Sequence, residues 1–336
     1  MWNVACSERT LSILDTNLKS GSVPHAYLIS GPQKVGKSTL ALNIAQAVNC
    51  SSGDRPCGKC ASCIKIAQGK HSDIAHVSVA KDKTEIGMEQ IKDVQRSASL
   101  KPFEGQFRVI IINNADQLST EAANRLLKTL EEPPDQVLFI LTTSKTEDML
   151  QTIISRCALI EMEKPQASSI AALLEKTHGQ ESSRAEYLAR ISRGAVGWAV
   201  DCCTNDRLLA KREETLRELL RLEKESWDER LAFAAELASG YSKNREELYD
   251  TLSLWQSVWR DIVQIRSGEI GQIFNVDVET ELKLSAPAYD DTACITAIRC
   301  LEETWLKLEQ NANARLALEV LILSLPWPPA TSSTSN

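Results

Sequence analysis

No stretch of about 18 consecutive apolar residues occurs in the 336-residue sequence, which excludes a membrane-spanning helix. Nor is there a basic excess: 38 Lys and Arg stand against 45 Asp and Glu, a net charge of −7. So acidic a chain repels phosphate unless a local patch intervenes, and a purely electrostatic nucleic-acid binder is excluded. Aromatic residues make up only 5% and are not interleaved with basic ones, as a groove for single-stranded nucleic acid would require. The opening Met1-Trp2-Asn3-Val4 lacks the basic segment, apolar core and small-residue cleavage site of an export signal, so the expectation is a cytoplasmic protein that meets no membrane. No repeat at solenoid periods is present.

What is there is ordinary globular composition, 43% hydrophobic and 25% charged over a length that suits two or three domains. Short apolar runs at Ala26 to Ile29, Val109 to Ile112 and Val137 to Leu141 have the length of buried strands. Helical spacing separates them at Thr39 to Val48 and at Glu121 to Leu130, the latter closed by Pro133-Pro134. Strands alternating with helices imply a parallel sheet covered on both faces. Beyond about Glu163 the strand signal fades, and Leu216, Leu219-Leu220, Leu252, Trp255, Val258-Trp259 and Ile262 recur at helical spacing. The expected division is an α/β domain over 1–163, a small helical lid over 164–207, an all-α bundle over 208–325 and an irregular tail over 326–336.

Gly31-Pro32-Gln33-Lys34-Val35-Gly36-Lys37-Ser38 fits G-x-x-x-x-G-K-[ST] between a strand and a helix that begins with Thr39. Glycines suit such a loop because backbone N–H groups must converge on phosphate oxygens where a Cβ would intrude. Lys37 would reach the β and γ phosphates of ATP or ADP, Ser38 would ligate Mg²⁺, and the helix would turn its positive end to the anion. A hydrolysing site also needs carboxylates at the end of a neighbouring strand, one to hold the metal through water and one to polarise the attacking water. Here that strand ends in Asn113-Asn114. An amide brings no charge and accepts no proton near neutral pH, and losing general-base assistance costs about 10² to 10⁴ in rate. The expectation is nucleotide binding with hydrolysis slow or absent. Asp116, just before the helix opened by Ser119, is taken as a surface or capping residue rather than a catalytic one.

Four of the ten cysteines fall together as Cys50-x6-Cys57-x2-Cys60-x2-Cys63. In a chain without an export signal such clustering points to metal rather than disulfides. Four thiolates close a tetrahedral Zn²⁺ with no open position, a structural site; an iron–sulfur cluster or unligated thiols is the alternative.

The run His25 to Pro32, the four-cysteine insert after the phosphate-loop helix, Ile86 to Ile91, Lys101 to Gly105, Glu121 to Pro134 and Ser155-Arg156-Cys157 together resemble the clamp-loader AAA+ subunits of bacterial DNA polymerase III. Asn313 to Glu319 followed by Leu321-Ile322-Leu323 is similar to the family's last collar helix, so the resemblance spans nearly the whole chain. It implies an α/β P-loop AAA+ domain with parallel sheet and zinc-binding insert, then a helical lid and an all-α collar. It further implies that Arg156 is an arginine finger offered to ATP on the adjacent subunit, and that Thr143 or Ser144 is the polar sensor. Gly197 stands where motor subunits carry a phosphate-sensing arginine, and the first cysteine gap of six is shorter than the family's. Within the family the degraded acidic pair is more like a non-motor ring member than the gamma/tau motor. The implied partners are gamma/tau and delta subunits in a five-subunit ring, the sliding clamp, and primed DNA through the assembled complex. The rival readings are an ATP-hydrolysing motor and a zinc-containing nucleic-acid binder; nothing resembles a polymerase active site. Leu316, Leu318, Val320, Leu321 and Leu323 are dense enough to serve both a core and a subunit seam.

Overall fold

The computed structural model describes residues 2, 4–80, 83–241 and 244–327; the expected tail lies outside the described residues from position 328 on. The chain divides into two compact units, one running to Ala189 and including Gly194–Val200, the other made of Arg190–Arg193 and the chain from Asp201.

In the first unit α1 (Glu8–Ser20) precedes β1 (Ala26–Ser30), and α2 (Lys37–Val48) and the short α3 (Ala61–Ala67) lead to β2 (Ile74–Val77). Next come α4 (Met88–Ala98), β3 (Arg108–Ile112), α5 (Thr120–Glu131), β4 (Val137–Thr143), α6 (Gln151–Ile154) and β5 (Ala158–Glu161). Helices α7 (Ala167–His178), α8 (Ser182–Ile191) and α9 (Val196–Cys202) follow. The five strands form one parallel sheet in the order β2-β3-β4-β1-β5. Strands β1, β3 and β4 are buried along their whole length, as a parallel sheet with both faces covered demands.

Alternation assigns each side chain to a face. Leu28, Ile110, Ile112, Phe139 and Leu141 pack with Ile91 and Val94 of α4, Leu126 of α5 and Ile153 of α6. Tyr27, Ile29, Val109, Ile111, Leu138 and Ile140 pack with Leu14 of α1, Leu40, Ile44 and Val48 of α2 and Ile66 of α3. Each fully buried side chain of this size contributes about 1.5–3 kcal/mol. Local chemistry marks the helix ends: Ser7 caps α1, whose chain turns at Gly21 with φ 70°, and Ser119 accepts the Ala122 amide to cap α5.

The second unit is helical throughout its described residues: α10 (Asp206–Leu222), α11 (Trp227–Tyr241), α12 (Arg245–Arg266), α13 (Glu279–Ser285), α14 (Asp291–Glu309) and α15 (Ala314–Ser324). Its core gathers around Trp255, fully buried and stacked on Phe233 with ring centroids 6.0 Å apart, and around Trp259, edge-on to Tyr289 at 4.8 Å. Leu216, Leu219, Leu252, Val258 and Ile262 are buried with them, in line with their helical spacing. On α15, Leu318 and Leu321 enter this core, whereas Leu316, Val320 and Leu323 are 60%, 50% and 56% exposed. The last helix therefore carries an inner and an outer apolar face.

Candidate functional site

The octet Gly31 to Ser38 leaves the C-terminal end of β1 and enters α2. Gly31 sits at φ 148°, and a Cβ there would lie 2.2 Å from the Met162 carbonyl oxygen at the end of β5. Gly36, at φ 107°, is the N-cap of α2, so the loop's amides gather at the positive end of that helix. Lys37 is only 8% exposed, and its Nζ donates to the Gly31 and Pro32 carbonyls at 2.7 Å each. Burial pushes its pKa down to about 8, with the charge of Asp116 opposing the shift. Val35 is buried beneath the loop, while Gln33, Lys34, Ser38 and Thr39 are exposed.

The neighbouring strand ends complete the site. Ser38 Oγ, the group expected to ligate Mg²⁺, donates to Asn113 Oδ1 at 3.0 Å. The Asn114 amide donates to Thr142 Oγ1 at 3.2 Å. Thr143 Oγ1 donates to Asp116 Oδ1 at 2.7 Å and accepts the Lys145 amide at 3.0 Å. Of the two sensor candidates Thr143 is buried in this polar chain, and Ser144 is half-buried beside it. Asp116 departs from its expected part: Ser119 caps α5, and Asp116 turns instead to Thr143 and the field around Lys37. Sequence reasoning set Asp116 down as a surface or capping residue and passed over Thr142, because both bonds span more than 25 positions, a separation no local pattern encodes. Across the loop, the Gly197 amide of α9 donates to the Lys34 carbonyl at 2.9 Å. That position therefore meets the loop through its backbone, with no side chain to offer a phosphate.

The four clustered cysteines converge between α2 and α3. Cys50 Sγ lies 4.0 Å from Cys60 Sγ, Cys57 Sγ lies 3.9 Å from Cys63 Sγ, and all four sulfurs fall within 4.8 Å of one another. Zinc–sulfur bonds of about 2.3 Å in a tetrahedron set sulfurs about 3.8 Å apart, so the cluster fits a structural Zn²⁺. The Lys59 and Cys60 amides donate to Cys57 Sγ at 3.4 and 3.3 Å, and the Cys63 amide donates to Cys60 Sγ at 3.5 Å, which favours thiolate at both. Burial opposes ionisation of Cys60, but hydrogen bonds from Cys63 and Ser51 outweigh it and bring its pKa to about 5. Cys60 is also the N-cap of α3, where a negative sulfur meets the helix dipole.

Arg156 follows α6. Its Nη2 pairs with Glu131 Oε1 at 2.7 Å, its Nη1 donates to the Thr152 carbonyl at 2.9 Å, and its side chain is 33% exposed.

Comparison with known proteins agrees with this geometry. The family model described as "DNA polymerase III, delta subunit" matches residues 6–166. The delta′ subunit of DNA polymerase III from Bacillus subtilis is 28% identical over 94% of this chain and 95% of its own length. The tau subunits of Escherichia coli and Bacillus subtilis are each 34% identical, over 58% and 55% of this chain; the chain spans only 31% and 32% of their length. A gamma subunit-related protein of Thermotoga maritima shows a looser likeness, with a TM-score of 0.47 and 16% identity over 92% of this chain and 97% of the other. The end-to-end match with delta′, the parallel sheet with its phosphate loop and the helical C-terminal unit point one way: over nearly its whole length the chain is similar to the delta′ clamp-loader subunit of DNA polymerase III.

Proposed function

We propose that this chain is a non-motor, delta′-type subunit that binds ATP or ADP with Mg²⁺ at Gly31 to Thr39 and hydrolyses it very slowly or not at all. In a five-subunit ring with gamma/tau and delta it lends Arg156 to the ATP of the adjacent motor, and the assembled complex seats the sliding clamp on primed DNA in the bacterial cytoplasm. Cys50, Cys57, Cys60 and Cys63 hold a structural Zn²⁺ with no open position for chemistry.

The observation that carries this reading is the pair of amides at the end of β3. Asn113 Oδ1 accepts the Ser38 hydroxyl, and Asn114 is tied to Thr142 through its backbone. Neither can take a proton from an attacking water. Lys37 would hold the phosphates and α2 would add its dipole, so binding hardware is present without the base. Arg156 fits its proposed role chemically: a guanidinium is always charged and grips phosphate oxygens through a planar fork. Its partner Glu131 is half-exposed, and a surface pair of that kind is worth about 0–1 kcal/mol, so a neighbour's phosphate can draw Arg156 away at little cost.

One observation favours a second reading, an active motor. Asp116 is a carboxylate in the site, held by Thr143 and close enough to act on Lys37. Single-turnover ATP hydrolysis by the isolated chain separates the two. The expected result is bound nucleotide recovered intact; brisk turnover abolished by Lys37→Ala would establish the motor instead.

A further inference from the structure

Arg156 stands at the end of the sheet where the strands begin. It lies just before β5, whose first residue, Ala158, pairs with Tyr27 near the start of β1, whereas the phosphate loop leaves the far end of β1. Arg156 and the chain's own phosphate loop are therefore at opposite ends of the sheet. The backbone around Arg156 is fixed: Ile153 is buried, and Ile154 and Cys157 pack against the same core as Leu126 and Leu130 of α5. The Arg156 amide donates to the Ile153 carbonyl at 3.1 Å, and the Cys157 amide donates to the Ile154 carbonyl at 3.2 Å. What is left to move is the guanidinium.

That group is already occupied within the chain. Nη1 donates to the Thr152 carbonyl at 2.9 Å and to Ser155 Oγ at 3.4 Å, and Nη2 donates to Glu131 Oε1 at 2.7 Å. Both terminal nitrogens are thus engaged, the pair that a planar fork turns end-on to a phosphate. Of the three partners Glu131 alone brings a charge, so it alone opposes the field that a guanidinium puts on an anion. Glu131 is also an unfavourable choice by helix chemistry. It is the last residue of α5, at the negative end of the helix dipole, where a cation such as Lys128 of the same turn is favoured and a carboxylate is not. Helix energetics give no reason for an acid there, and Arg156 is its one ion partner among the described residues.

We propose that Glu131 is a latch: it holds Arg156 inward and charge-compensated, and so restrains the hydrolysis that this arginine promotes on the adjacent subunit, a reading that rests on the finger role given to Arg156 above. A γ-phosphate must displace the carboxylate, or share the guanidinium with it, before it meets the full positive charge. The two side chains are 33% and 48% exposed, so water screens the pair and it yields at small cost. A buried pair would disable the finger altogether. A pair of this strength gives way to a phosphate held squarely against it and keeps the finger quiet when the neighbouring site is poorly aligned.

Steady-state ATP hydrolysis by the complex reconstituted from the full chain with gamma/tau and delta tests this in a double-mutant cycle. Glu131→Ala is expected to raise kcat about two- to fivefold, with KM for ATP unchanged because the neighbour's own loop binds the nucleotide. Glu131→Gln, which keeps an acceptor and drops the charge, is expected to raise kcat by less. In an Arg156→Ala background neither substitution is expected to change kcat, since the cycle isolates what passes through the pair. Glu131 is half-exposed, so both variants are expected to fold and to co-migrate with gamma/tau on a sizing column. An unchanged kcat in Glu131→Ala would overturn the latch, and a lowered one would show that the carboxylate aims the guanidinium instead of restraining it. An equal rise in the Arg156→Ala background would overturn it as well, because Glu131 would then act through α5 and not through the finger. Full activity of the complex carrying Arg156→Ala alone is a different result, and it would strike the proposed function itself.

Discussion

The two ends of the sheet are built to different degrees of completion. At the C-terminal end of β1, β3 and β4 stand the glycine loop, Lys37 and the start of α2, the parts the proposed phosphate site calls for, but amides stand at Asn113 and Asn114. At the other end nothing is missing: four sulfurs have tetrahedral spacing, and every amide from Phe103 to Phe107 has an acceptor. The difference teaches that a binding site and a reacting site are separable, since the first needs only donors aimed at an anion and the second needs a group that changes protonation. It also means that perturbing one end should leave the other's readouts in place.

The largest expected effect acts on the neighbour, through Arg156, which lies just before β5 at the end of the sheet where the strands begin. Arg156→Ala should lower the ATPase rate of the reconstituted gamma/tau-containing complex by about 10³ or more, with the zinc content of this chain unchanged. A steady-state ATPase assay beside metal analysis checks both halves. A fall in zinc content would show that the Arg156 segment and the cysteine module do not act independently.

A gain is expected next. Asn113→Asp combined with Asn114→Glu restores a metal-holding charge and a base, and should raise single-turnover hydrolysis by this chain by about 10² or more. Ser38 already bonds to Asn113 at that position. No gain would show that the lid segment, with Gly197 in place of an arginine, limits the reaction as much as the missing carboxylates do.

The smallest effect is on pH. In the free chain Lys37 loses its proton near pH 8, because burial disfavours the ammonium. Below that pH the charge that attracts phosphate is present. Above it, binding requires proton uptake, so affinity for a fluorescent ADP analogue should fall with rising pH, by up to about tenfold per unit.

Much of this was legible from residue order. Strands β1, β3 and β4 announce themselves as continuous apolar runs because both faces of each are buried. The outer strands do not. In β2 only Val77 is buried and His76 is exposed, and in β5 Leu159 is 45% exposed, so neither presents a run that a pattern could detect. The cysteine set was legible from spacing alone, since thiolates at short intervals have few other uses. Arg156 was legible only through the resemblance, because a single arginine after an apolar pair carries no local signal. Asp73 and Asn49 were not legible at all. Their work is done on amides 30 or more positions away, and a buried polar side chain in that role looks, in sequence, like any loop residue.

Gly31 carries one last consequence. The space for its missing side chain is filled by the Met162 carbonyl as β5 runs past the start of the loop. The first glycine of the octet is therefore demanded by a crossing of two backbones, with or without a guest in the pocket. Replacing it by alanine would report on how the polypeptide closes that seam before it reported on any anion.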